Sequence, residues 1–176
     1  MKKLLLTTLI CVSFLQANAQ KAIKLNIFSP IVQTLNVSYE QALNKDKSFQ
    51  LGFFYTGYSS GDTKFSGIGI TPEYRIYLVE EVMNSFYVAP FVRFQNFTLK
   101  DKTNTTDEAT LTTFGGGLIA GRQWIFKDKF TLDLFIGPSY NTGSTKVKSG
   151  TSDDYSVPGA FNGFGIRTGL TFGLKF

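Results

Sequence analysis

From residue 21 to the last residue, the sequence repeats one pattern: short runs in which apolar residues alternate with small, polar or charged ones. A period of two belongs to β-strands, whose successive side chains point to opposite faces. The final run is the clearest. Phe164, Ile166, Thr168, Leu170, Phe172, Leu174 and Phe176 share one face, and Gly165, Arg167, Gly169, Thr171, Gly173 and Lys175 the other. Ile68, Ile70, Pro72, Tyr74, Ile76 and Leu78 alternate in the same way with Gly67, Gly69, Thr71, Glu73, Arg75 and Tyr77. Similar runs start at Ile23, Leu35, Phe49, Phe86 and Phe130. With 111–126 they make eight strands of an all-β, antiparallel, up-and-down barrel. In 111–126 either parity places something awkward, because Arg122 shares a face with Phe114, Leu118 and Trp124. A bulge at Gly115-Gly116-Gly117 would switch the parity, so the facing of that strand stays open.

The first twenty residues follow a different rule. Lys2 and Lys3 precede an apolar run from Leu4 to Leu15, and Ala17-Asn18-Ala19 closes it with a small-x-small pattern. That order is a secretory signal peptide over residues 1–20, leaving a single barrel domain over 21–176. The run is too short for the roughly 20 apolar residues a spanning helix needs. Cleavage after Ala19 or Gln20 removes Cys11, the chain's one cysteine, so the mature protein has no disulfide and no thiolate. It also lowers the formal charge from +5 by two, and without Lys/Arg runs the remainder gives no reason to expect a nucleic-acid partner.

Alternation alone does not say which face is inside. The polar face carries Gly52, Gly67, Gly69, Gly137, Gly165, Gly169 and Gly173, and strings of glycine suit a crowded lumen better than a solvated strand surface. The apolar face, with Ile70, Leu134, Leu170 and Phe172, then meets lipid. Short charged links (Leu43 to Ser48, Val79 to Ser85, Lys127 to Lys129) alternate with longer polar ones (Lys100 to Thr110, Gly143 to Gly159), as periplasmic turns alternate with extracellular loops in outer-membrane barrels. Aromatic residues gather at strand ends: Phe49, Tyr77, Phe86, Trp124, Phe126, Phe130 and Phe176 near one rim, and Tyr55, Tyr58, Phe65, Phe97, Phe114, Tyr140 and Phe164 near the other. Two girdles are expected at lipid interfaces. Phe28, Phe54, Phe91 and Phe135 fall on the lumen face and depart from a purely polar interior.

The stretch Lys24-Leu25-Asn26-Ile27, then Ser29-Pro30, then Leu35 to Leu43 resembles the opening hairpin of small outer-membrane β-barrel families of unknown function, OmpX-like eight-stranded barrels of Gram-negative bacteria. Phe176, with Leu174, Phe172 and Leu170 alternating behind it, resembles the terminal-strand signal read by the barrel-assembly machinery. The resemblance implies an outer-membrane location, insertion among outer-membrane lipids by that machinery, and no settled activity. The expected form is a monomer whose long loops meet an extracellular ligand.

With no His in the chain, imidazole-dependent catalysis is excluded. Carboxylate-only chemistry would have to use Glu40, Glu73 and Asp133, which read more simply as members of lumen ion pairs. Asp107-Glu108 and Asp153-Asp154 read as solvated loop charges rather than calcium ligands. No enzyme, metal or cofactor is expected. The inward face instead collects Glu40, Glu73 and Asp133 with Lys24, Arg75, Arg93, Arg167 and Lys175. Hairpin register pairs Lys24 with Glu40, Glu73 with Arg93, and Asp133 with Arg167. A structural or surface-interaction role is the leading expectation. A soluble periplasmic lipocalin-like barrel holding an apolar ligand, or a narrow pore, are the alternatives.

Overall fold

The computed structural model describes residues 20–60, 63–101, 108–147 and 163–176. The expected signal peptide (to residue 19) and parts of the links at 61–62, 102–107 and 148–162 lie outside them. Eight strands, β1 (Lys21–Asn26), β2 (Thr34–Ala42), β3 (Lys47–Ser60), β4 (Thr63–Tyr77), β5 (Phe86–Asp101), β6 (Glu108–Phe126), β7 (Phe130–Val147) and β8 (Gly163–Lys175), follow one another around a closed antiparallel barrel. β8 closes on β1, with Leu25 opposite Phe172. The last residue completes the seam: Phe176 N–H donates to the Lys21 carbonyl, and Lys21 N–H to the Phe176 carbonyl. Closure leaves no unpaired edge, which a wall in hydrocarbon requires because lipid cannot satisfy backbone polar groups.

The two faces separate by chemistry in the direction a membrane demands. Ile23, Leu51, Phe53, Ile70, Phe94 and Leu134 are exposed on the outside, whereas Lys24, Glu40, Gln50, Glu73, Arg75 and Asp133 are buried inside. A soluble ligand-binding barrel faces the opposite way, with its apolar side inward.

In β6 one parity holds throughout. Its register with β5 runs unbroken from Phe86 opposite Arg122 to Lys100 opposite Glu108, so no bulge interrupts it. Thr113, Ile119 and Gln123 point inward, and Arg122 therefore faces out. Its guanidinium lies 4.5 Å from the Phe86 ring and 5.3 Å from Trp124, close to the Lys127–Lys129 turn, where a long cationic side chain can cover apolar surface and reach the interface. The glycines serve close approach instead: a Cβ on Gly117 would strike the Pro138 carbonyl on β7.

Glycines elsewhere make room for inward aromatics. Phe54 stands opposite Gly69, Phe97 opposite Gly67, Tyr87 opposite Gly121 and Phe135 opposite Gly169. A Cβ at Gly67 or Gly69 would overlap the facing ring. Gly69→Ala is therefore expected to cost about 1–3 kcal/mol by overpacking. At Gly52 a Cβ would meet Thr71 at ordinary contact, 3.5 Å, so Gly52→Ala should stay within about 0.5 kcal/mol. Urea titration of the lipid-inserted protein measures both, and equal costs would contradict the notch reading.

These notches also correct the expected girdles. Tyr77 and Phe97 are buried in the lumen rather than placed at the interfaces, and Phe65 stacks on Phe97 with ring centroids 5.1 Å apart. Phe28, expected inside, is exposed beyond the end of β1. Tyr55, Phe86, Phe114, Phe126 and Tyr140 do face outward. The side chain of Tyr58 lies outside the described residues.

Candidate functional site

Inward parity on five strands brings charged side chains to one level of the lumen: Lys24 from β1, Glu40 from β2, Glu73 and Arg75 from β4, Gln123 from β6 and Asp133 from β7. None is more than 1% exposed. Arg75 is the hub. Its Nη1 lies 2.7 Å from Asp133 Oδ2 and donates to Gln123 Oε1 at 3.1 Å, and its Nε and Nη2 donate to Glu73 Oε2 at 3.3 and 3.1 Å. Lys24 Nζ pairs with Glu40, lies 3.3 Å from Asp133 Oδ2 and donates to Gln123 Oε1 at 2.7 Å. Glu40 also accepts from Ser48 Oγ and from Tyr77 OH, the latter at 2.6 Å. Tyr87 OH donates to Asp133 Oδ1 at 2.8 Å, and the Arg75 guanidinium rests 4.4 Å over the Tyr87 ring. Such a lattice is stable only when its members are mutually satisfied, since a lone buried charge costs several kcal/mol.

Two of the expected partners differ. Glu73 pairs with Arg75 and Arg167, not with Arg93. Asp133 pairs with Arg75 and Lys24, not with Arg167. Hairpin register identifies neighbours along the wall, but in a narrow barrel a long side chain reaches across the bore, and contacts between non-adjacent strands take precedence. Arg93 instead donates from Nε to Thr71 Oγ1 at 3.3 Å. Lys175 sits half-buried at the end of β8, opposite Ala22. Ser48, Tyr77, Tyr87 and Gln123 were not singled out as network members by sequence. Their inward parity was the available signal, but uncharged side chains do not announce an ionic network.

Below this layer the β4–β5 turn closes in. Val82 and Met83 are buried in one cluster with Ala22, Ala42, Tyr77 and Tyr87. The turn is tied to the neighbouring rim by Val82 N–H donating to the Lys45 carbonyl at 2.9 Å and Ile125 N–H donating to Asn84 Oδ1 at 3.0 Å. An apolar stopper thus underlies the ionic layer. Among the described residues no group of three or more acidic, His or Cys side chains is placed to hold a metal ion.

A closed eight-stranded wall, apolar outside and ionic inside, defines a transmembrane barrel of the outer-membrane class. The chain belongs to the DUF3575 family, proteins of unknown function, whose model matches residues 4–147. No curated protein matches it by sequence. Among solved structures it is similar to Neisserial surface protein A, at 14% identity and a TM-score of 0.53 over 89% of this chain and 92% of that one. It is also similar to a major outer membrane protein from Thermus thermophilus, at 12% identity and a TM-score of 0.57 over 90% of this chain and all of that one (100%). At such identities the likeness is one of fold.

Proposed function

We propose that the protein is a sealed monomeric barrel of the outer membrane, structural in its wall and interactive at its outer rim, rather than a channel or an enzyme. The signal peptide, cleaved after Ala19 or Gln20, would export it, and the strand ending at Phe176 would be read by the barrel-assembly machinery. The observation that carries this reading is the complete burial of Lys24, Glu40, Arg75, Gln123 and Asp133 across the lumen. Eight strands enclose an interior that side chains can fill, and here an ionic layer and an apolar stopper fill it in series. Contact with the surroundings then falls to the outer rim, whose longer links include 102–107 and 148–162.

Purified protein in planar bilayers tests the sealed lumen. The expected record is flat, without unitary steps. Steady, large unitary conductance would overturn the reading and favour a pore.

A further inference from the structure

Outside the ionic layer the lumen is not full. A cavity of about 450 Å³ lies in its outer half, lined by Thr71, Glu73, Arg93, Arg167 and Thr171 together with phenylalanines. Its charge is unbalanced. Among the described residues its lining carries two arginines, Arg93 and Arg167, against one carboxylate, Glu73. The nearest acid, Glu73, is already shared by Arg75 and Arg167. Arg93 has no carboxylate partner among the described residues, and Arg167 Nη1 is buried without an acceptor. The two guanidiniums lie over the same ring, Phe91, at 5.6 and 4.4 Å. Like charges gathered in a partly desolvated space are unfavourable unless an anion joins them.

A buried hydroxyl adds a donor. Thr171, a cavity-lining residue only 6% exposed, has an Oγ1 without a hydrogen-bond partner, an O–H able to donate. Buried polar atoms in folded proteins rarely go unpaired. Phe54 and Phe97, which also line the cavity, lie 6.1 Å apart, with Phe65 stacked on Phe97.

We propose that this cup binds an aromatic carboxylate: the carboxylate accepts from Arg93 and Arg167, and the ring rests on Phe54, Phe65 and Phe97. A guanidinium fork matches a carboxylate in plane and spacing, and the volume suits a small ligand. The proposal goes beyond the sealed-barrel reading and does not depend on whether the lumen conducts.

Equilibrium dialysis of the refolded full-length mature barrel in a non-ionic detergent, with empty micelles as the blank, tests it using 2-naphthoate and its uncharged analogue 2-naphthamide. The expected result is saturable binding of 2-naphthoate at one site per barrel, with the amide about tenfold or more weaker, as the loss of a charge-assisted pair implies. Arg93→Gln removes a cation that no acid compensates, so it should still fold, as the gel shift on boiling will report, and should weaken 2-naphthoate about tenfold. Equal uptake of naphthoate and naphthamide would reduce the effect to partition into apolar surface and overturn the proposal. Non-saturable uptake, or undiminished binding to folded Arg93→Gln, would overturn it as well. Should Arg93→Gln fail to fold, the comparison of acid with amide on the unaltered protein still decides.

Discussion

Asp133→Asn is expected to destabilise the barrel by about 3–5 kcal/mol, the range for removing one member of a buried ionic set. Asp133 accepts from Tyr87, at 2.8 Å, and pairs with Arg75 and Lys24 at 2.7 and 3.3 Å. An amide in its place keeps the shape but leaves two buried cations to share Glu40 and Glu73. Glu80→Gln is the matching control. Its carboxylate is 79% exposed and lies 3.9 Å from an equally solvated Lys45, so its loss should cost no more than about 0.5 kcal/mol. Urea titrations from lipid vesicles give both values. A double-mutant cycle with Arg75→Gln should return a coupling of about 1–3 kcal/mol, since the two residues share one network. If Asp133→Asn proved as mild as Glu80→Gln, the lumen charges would be separately hydrated and the ionic layer would seal nothing.

Ile70→Arg is expected to cost about 2–4 kcal/mol, the penalty for an arginine at the bilayer midplane on a lipid-facing strand position. Ile70 lies halfway along β4, faces outward and is 47% exposed, so the charge would sit in hydrocarbon with no lumen acid in reach. Leu78→Arg, just beyond the inner end of the same strand, should cost only about 0–1 kcal/mol because the head group reaches water. The native Arg122 is tolerated on that face because it lies near a turn, beneath Phe86 and Trp124. Refolding titrations into lipid vesicles compare the two variants. Equal, small effects would mean that the outer face of β4 does not meet lipid.

What could be read in advance followed from local rules. Alternation places Ile70 outside and Thr71 inside because the pleat allows nothing else. Lys24 and Glu40 were legible as neighbours because their strands form one hairpin, in which Ala22 faces Glu40 and Lys24 faces Ser38. Arg75 with Asp133 was not. The pair is 58 residues apart, and only closure of the barrel decides which side chains meet across the bore. Parity places the glycines in the lumen, but pairing each with an aromatic ring needs the register between strands. Tyr77 misled because tyrosine at a strand end suits a lipid interface as well as a buried hydroxyl. Arg122 left the parity of its strand open for a related reason: an arginine among apolar residues makes sense only once Phe86 is known to lie beside it. The stopper formed by Val82 and Met83 carried no periodic signal, since a turn has none.

The apolar face of the barrel meets lipid. Fractionation of native cells, followed by gel electrophoresis of the membrane fraction with and without boiling, tests that most directly. The protein should be recovered with the outer membrane and should change mobility on boiling, as a detergent-resistant closed barrel unfolds. Recovery in the soluble fraction without detergent would contradict it.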